Sequence, residues 1–192
     1  MSEEEIYRRK KDKEAIVKLL LSPKLTRTDM VLPIVGRGGM GKTMLAQHVF
    51  NDPRVQEHFE ERIWVCVSDD FDVRRILEQI LLRTRAAANF STAKNLSFNQ
   101  LHNLLPEFLH KKQYPIVLDH VWREDSEKWD QLKQCVLQLG FKGESAIILT
   151  CRPLKVASIA GTIQPYELGL LTEEQSWTLF QTKAFPQSRL TT

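Results

Sequence analysis

Short apolar runs alternate along this chain with segments whose apolar residues recur every three or four positions. The runs are Val31–Val35, Arg62–Ser68, Tyr114–Val121, Ser145–Cys151 and, with a weaker pattern, Pro165–Leu168. IWVCV, PIVLDHV and AIILT are almost unbroken in apolar residues, whereas a strand with one face in water would alternate. That continuity predicts strands buried on both faces of a parallel sheet. Helical stripes fall between them. Val73, Ile76, Leu77, Ile80 and Leu81 follow Asp72, a good N-cap residue. Phe98, Leu101, Leu104, Leu105, Phe108 and Leu109 form a second stripe after Ser97, which Pro106 is expected to kink or end. Trp129, Leu132, Cys135, Val136 and Leu139 form a third, stopped by Gly140. Thr172-Glu173-Glu174-Gln175 is a capping box opening a helix with Trp177, Leu179 and Phe180, closed by Pro186. Glu3 to Leu21 reads as a charged helix with an apolar end, Ser22 to Asp29 as a connector, and Ala86 to Asn95 as a surface loop. The alternation of strand and helix predicts an α/β sandwich with right-handed crossovers. Trp64, Trp122, Trp129 and Trp177 read as packing residues within it.

Composition narrows the class. With 42% hydrophobic and 27% charged residues, disorder and fibrous repeats are excluded. The 192 residues suit one α/β domain with at most the start of another. The 27 basic and 24 acidic side chains leave +3, which by itself gives no argument for nucleic acid. The start, Met1-Ser2-Glu3-Glu4-Glu5, is acidic where a signal peptide is basic and then apolar. No apolar run approaches the roughly 20 residues of a membrane span. Cys66, Cys135 and Cys151 are scattered, which suggests reduced thiols of a cytosolic or nuclear protein, not a disulfide framework or zinc site.

The chemistry is concentrated in Gly36-Arg37-Gly38-Gly39-Met40-Gly41-Lys42-Thr43, which fits G-x-x-x-x-G-K-[ST]. Glycines allow the tight backbone path on which successive N–H groups converge on phosphate oxygens, and the helix opening at Lys42 adds its positive end. Lys42 can reach the β- and γ-phosphates, and the Thr43 hydroxyl can ligate Mg²⁺. The loop follows the strand Val31–Val35 and precedes a helical pattern with Met44, Leu45 and Val49, as that mechanism requires. Such a site needs an acidic residue at the end of another buried strand, and Asp119 closes Tyr114-Pro115-Ile116-Val117-Leu118-Asp119. His120 follows, where an imidazole can be a base, a metal ligand or an outward-facing side chain. Asp69, Asp70 and Asp72 read as a turn and helix cap. Arg8-Arg9-Lys10-Lys11 reads as a solvated helix face, with a nuclear-localisation patch as the alternative.

In this order, GRGGMGKTMLA, HFEERIWVCVSDDFD, KKQYPIVLDHVW, GESAIILTCR and YELGLLTEEQSWTLFQTKAF resemble the nucleotide-binding half of the NB-ARC domain of plant disease-resistance proteins, members of the STAND class of P-loop ATPases. The resemblance covers nearly the whole chain. It implies a three-layer α/β/α sandwich whose five-stranded, mainly parallel sheet places the AIILT strand between the P-loop and Asp119 strands. Residues 30–185 would form the P-loop domain, residues 1–29 an N-terminal helix and linker bordering the adenine, and residues 186–192 a tail at the start of the next subdomain. Carried over residue by residue, Gly36, Arg37, Gly38, Gly39, Met40, Gly41, Lys42, Thr43 and Met44 would surround the phosphates of ADP or ATP. Thr43 and Asp119 would hold Mg²⁺, and Arg152 would reach toward the γ-phosphate as a sensor. Ile6-Tyr7-Arg8-Arg9 is similar to the family's Gly-Arg segment, so Tyr7 and Arg9 would border the adenine.

The sequence departs from the family pattern at several of these positions. The usual second acidic residue of LDDVW, which orients the attacking water, is His120 here. Met44 replaces a common Thr, Cys151 replaces the Thr before the sensor arginine, and Arg8 replaces Gly. No GLPL or MHD motif is present, so the flanking receptor domains are expected to be absent from this chain. The function expected is an ADP/ATP-binding, Mg²⁺-dependent switch module of a cytoplasmic immune receptor with slow hydrolysis. The alternatives are an active nucleotide phosphatase using His120 and a nucleic-acid-binding module resting on the basic run.

Overall fold

The computed structural model describes residues 9–22, 30–67, 71–84, 96–109, 113–137 and 145–185. The connector, the Ala86–Asn95 loop, Asp69, Asp70 and the Gly140 and Pro186 helix stops fall wholly or largely outside them. Five strands, β1 (Met30–Val35), β2 (Ile63–Cys66), β3 (Pro115–Val121), β4 (Ala146–Cys151) and β5 (Tyr166–Glu167), form one sheet in the order β2-β3-β4-β1-β5. Every pairing is parallel. The AIILT strand, β4, lies between the P-loop strand and the Asp119 strand as expected.

Eight helices are described: α1 (Lys10–Leu20), α2 (Lys42–Phe50), α3 (Pro53–His58), α4 (Val73–Arg83), α5 (Phe98–Leu109), α6 (Ser126–Leu137), α7 (Leu154–Ala160) and α8 (Glu173–Ala184). The two-residue period of the strands divides their side chains between two cores. Val31, Val35, Ile116, Leu118, Ile147 and Leu149 face one side with α4, α5, α6 and α7. Leu32, Ile34, Val117 and Ile148 face the other with α1, α2 and α3. Both faces are covered, which is why the central strands read as continuous apolar runs.

Local signals behave as the residue types dictate. Asp72 caps α4 by accepting the Arg75 N–H, and Thr172 and Gln175 form the reciprocal capping box of α8. Pro106 does not end its helix: α5 continues to Leu109. Leu105 and Leu109 are fully buried on either side of the proline, and burying two leucines at about 1.5–3 kcal/mol each matches the roughly 3 kcal/mol that an interior proline costs. The tryptophans divide. Trp129 is buried against Phe71 and Trp64 meets Phe50 edge-on, but Trp122 and Trp177 are exposed, so packing does not explain those two. No helix among the described residues is long and apolar enough to cross a membrane.

Candidate functional site

The C-terminal ends of β1, β3 and β4 meet at one edge of the sheet, where open α/β sheets place their ligands. β1 runs into the glycine-rich loop, β3 delivers Asp119, and β4 delivers Thr150 and Arg152. Gly39 and Gly41 have φ of 78° and 88°, left-handed values that favour glycine and let the loop turn into α2. The first backbone bond of that helix runs from Leu45 N–H to Gly41 O. The amides of 41–44 therefore precede the intrahelical ladder and point out of the helix end. A cleft of about 430 Å³ opens above them, lined by Gly38, Gly39, Gly41, Lys42, Thr43, Met44 and Gln47 on one side and by His120, Trp122, Cys151 and Arg152 on the other.

Lys42 is largely buried, and its Nζ donates to the carbonyls of Gly36 (2.7 Å) and Arg37 (2.9 Å). Burial, with the Arg152 charge nearby, holds its pKa below the usual lysine value. The Arg152 guanidinium lies 4.0 Å from the centre of the Trp122 ring. Its other flank presses on the loop, since a Cβ on Gly38 would sit 3.0 Å from it. Trp122 is thus a platform that aims a cation at the cleft.

Asp119 is almost fully buried, and its Oδ1 accepts two hydroxyl protons, from Thr43 (2.9 Å) and Thr150 (2.5 Å). Thr150 Oγ1 in turn accepts the His120 N–H at 3.0 Å. In a regular strand, Asp119 and His120 would point to opposite faces. Here β3 carries an extra residue against β4, because Leu118 pairs with Leu149 but Val121 pairs with Cys151. His120 takes φ 65° at this bulge, and its Nε2 comes within 3.2 Å of Thr43 Oγ1. Both neighbours of the bulge therefore converge on one hydroxyl.

The predicted residues do not all share this cleft. Gly36, Arg37 and Met40 line a neighbouring hollow with Leu168 and Leu170, on the other flank of the loop. Met40 Sδ accepts the Arg37 N–H there at 3.0 Å. Arg9 is 5% exposed, not part of a solvated face, and its guanidinium donates to Met40 O (3.0 Å), Gly169 O (2.9 Å) and Asp12 (3.2 Å). Asp12 also accepts from the Tyr166 hydroxyl at 2.7 Å, tying α1, the loop and β5 together. Tyr7 lies outside the described residues. The sequence reading missed Thr150 and Trp122. The signal available for Thr150 was a lone hydroxyl inside an otherwise apolar strand, whereas Trp122 gave none that separates a platform from a packing residue.

The donor set suits one divalent ion of the kind that accompanies phosphates. Among the described residues no three His, Cys, Asp or Glu side chains gather into a metal cage. A hydroxyl and a carboxylate 2.9 Å apart beside free amides instead match an ion that takes its remaining ligands from phosphate and water.

The parallel sheet, the glycine-rich loop at the end of β1 and the acid at the end of β3 define the P-loop NTPase-like class of α/β proteins. Structural comparison agrees. The fold matches the Aeropyrum pernix ORC1 protein, solved in complex with DNA, at a TM-score of 0.67 and 17% identity over 92% of this chain and 49% of that one. It matches C. elegans PCH-2 at 0.54 and 13% identity, over 94% of this chain and 48% of that one. The chain belongs to the NB-ARC domain family, whose model matches residues 9–190. It is 44% identical over 186 residues to the disease resistance protein RGA2 of Solanum bulbocastanum, covering 96% of this chain and 19% of that protein. It is 33% identical to the disease resistance protein RPM1 of Arabidopsis thaliana, covering 92% of this chain and 19% of that one. The chain thus spans about a fifth of the length of these curated relatives.

Proposed function

We propose that this chain is the ADP/ATP-binding switch module of a plant immune receptor, in which Mg²⁺-nucleotide occupancy is passed to flanking domains. The observation that carries the reading is the convergence of Lys42, Thr43 and Arg152 on one cleft beside the open amides of the loop, with the buried Asp119 reached through the Thr43 hydroxyl. In this reading residues 30–185 are the nucleotide-binding unit and residues 1–29 a helix and linker bordering the adenine, with Arg9 bracing the loop. The cytoplasm is the compartment proposed.

In this reading, Gly38, Gly39, Gly41 and the start of α2 present N–H groups to the phosphates. Gly36, Arg37 and Met40 shape the outer flank of the loop, and Met44 lines the cleft wall. Lys42 exchanges the Gly36 and Arg37 carbonyls, which its Nζ reaches at 2.7 and 2.9 Å, for phosphate oxygens. Thr43 and Asp119 would hold Mg²⁺, which would supply neutralisation of the phosphate charge. Arg152, held on Trp122, meets the terminal phosphate and so distinguishes ATP from ADP by a contact that only one of them makes. Hydrolysis is slow. The position after Asp119 carries an imidazole in place of an acid, and a well-placed base contributes about 10²–10⁴ in rate.

Calorimetry of the purified chain with Mg-ADP and Mg-ATP tests this reading. Lys42→Ala is expected to abolish measurable binding of both, and Arg152→Ala is expected to weaken ATP more than ADP. Unchanged affinity in Lys42→Ala would refute the assignment.

A further inference from the structure

The bulge at the end of β3 brings an imidazole to a place where a regular strand would not. Asp119 and His120 are sequence neighbours, yet both reach Thr43 Oγ1, at 2.9 and 3.2 Å. This depends on the left-handed φ of 65° at His120 and on the hydrogen bond from its N–H to Thr150, which fixes that turn. A left-handed φ is unfavourable for a residue with a Cβ and persists only where its surroundings enforce it. The side chain so placed is exposed to solvent and lines the same cleft as Thr43 and Lys42.

We infer that His120 Nε2 is a third protein group of the divalent-cation site and sets which ion the nucleotide arrives with. The inference rests on the nucleotide-binding reading above, and on the placement of one nitrogen beside the two oxygens assigned to the ion. The Thr43 proton is donated to Asp119 Oδ1, so the His120 contact is an Nε2–H donated into the Thr43 oxygen. That contact occupies the lone pair the ion would use. The exposed imidazole can carry its proton on Nδ1 instead, which turns the Nε2 lone pair toward the same point. Mg²⁺ prefers all-oxygen surroundings, whereas Co²⁺ and Ni²⁺ accept imidazole readily. His120 therefore disfavours Mg²⁺ and favours nitrogen-accepting transition ions, relative to a carboxylate at that position.

The test compares the full chain with His120→Asp and His120→Asn, two residues that tolerate left-handed backbone and so preserve the bulge. Binding of a non-hydrolysable ATP analogue is measured calorimetrically in EDTA, with Mg²⁺ and with Co²⁺, and the visible absorption of bound Co²⁺ is recorded. The wild type is expected to show a Co²⁺-over-Mg²⁺ affinity ratio about tenfold above that of either variant. Its Co²⁺ spectrum should change on substitution, as loss of a nitrogen ligand requires. Ratios within twofold across the three proteins, with superimposable spectra, would overturn the inference while leaving the nucleotide assignment intact. Failure of the analogue to bind in EDTA and with either ion would overturn both together.

Discussion

The Thr150–Asp119 contact offers the sharpest test of how the site is held, because both partners are out of water. Thr150 is 1% and Asp119 2% exposed, and they meet at 2.5 Å. Thr150→Val preserves the shape of the side chain but removes its oxygen. One loss is a hydrogen bond to an ionised acceptor, about 1.5–3 kcal/mol. The other is the acceptor of the His120 N–H, whose desolvation costs about 1–3 kcal/mol. Together the variant should lose about 2.5–6 kcal/mol, a fall in Tm of roughly 5–24 °C for a chain of this length. Urea unfolding at pH 7 measures it, with an unchanged m-value as the sign that the unfolded state is not at issue. Pairing Thr150→Val with Asp119→Asn in a double-mutant cycle isolates the contact, and the coupling should exceed about 1 kcal/mol. Costs that add within about 0.5 kcal/mol would show that the hydroxyl does not hold the carboxylate, and the reasoning would fail.

Three other outcomes follow from separate parts of the molecule. Hydrogen bonds from Arg54, helped by Lys13, hold the Asp52 carboxyl well below the usual carboxylate range, so its stabilisation is present above the unfolded pKa near 3.9 and fades as pH falls below it. Asp52→Asn should therefore cost about 1–3 kcal/mol at pH 7 and less at pH 3; a pH-independent difference in urea unfolding contradicts this. Arg9→Ala should lose about 2–4 kcal/mol and weaken nucleotide binding, and Arg9→Lys should recover little, since one ammonium cannot reproduce a fork that reaches both Met40 O and Gly169 O; full recovery by lysine in thermal melts and calorimetry argues against the brace. Gly161→Ala would place a Cβ 2.6 Å from Ala157 O and 2.7 Å from Pro33 Cγ, so overpacking should cost at least about 1–3 kcal/mol, and a melt unchanged within a degree refutes the clash.

Much of the architecture follows from one-dimensional pattern. PIVLDHV and AIILT are nearly continuous in apolar residues because β3 and β4 lie between two helical layers, whereas IWVCV, equally apolar, forms the edge strand β2, where Trp64 is half-buried and Cys66 exposed. Local chemistry was equally legible. The Thr172 capping box and the Asp72 cap act within three residues of themselves, so no distant partner can alter them. The glycine-rich loop belongs to the same kind, since its positive-φ glycines and the helix after it form a contiguous unit.

The reading failed where a residue's surroundings come from elsewhere in the chain. Arg9 in a basic run reads as solvated, but the carbonyls of Met40 and Gly169, 31 and 160 residues away, enclose it. Trp177 sits in a strong helical motif and yet is 59% exposed. Of the kink or stop that Pro106 predicts, the stop does not occur, because α5 runs on to Leu109 with Leu105 and Leu109 buried. The sequence by itself thus determined the elements, the phosphate loop and the acid that answers it, because periodicity, caps and glycine conformations act over a few residues. Tertiary structure alone decided which hydroxyl Asp119 and His120 share and where Arg152 aims. A bulge register, a cation resting on an indole ring and a hydrogen bond across strands are set by neighbours in space, and no spacing along the chain encodes them.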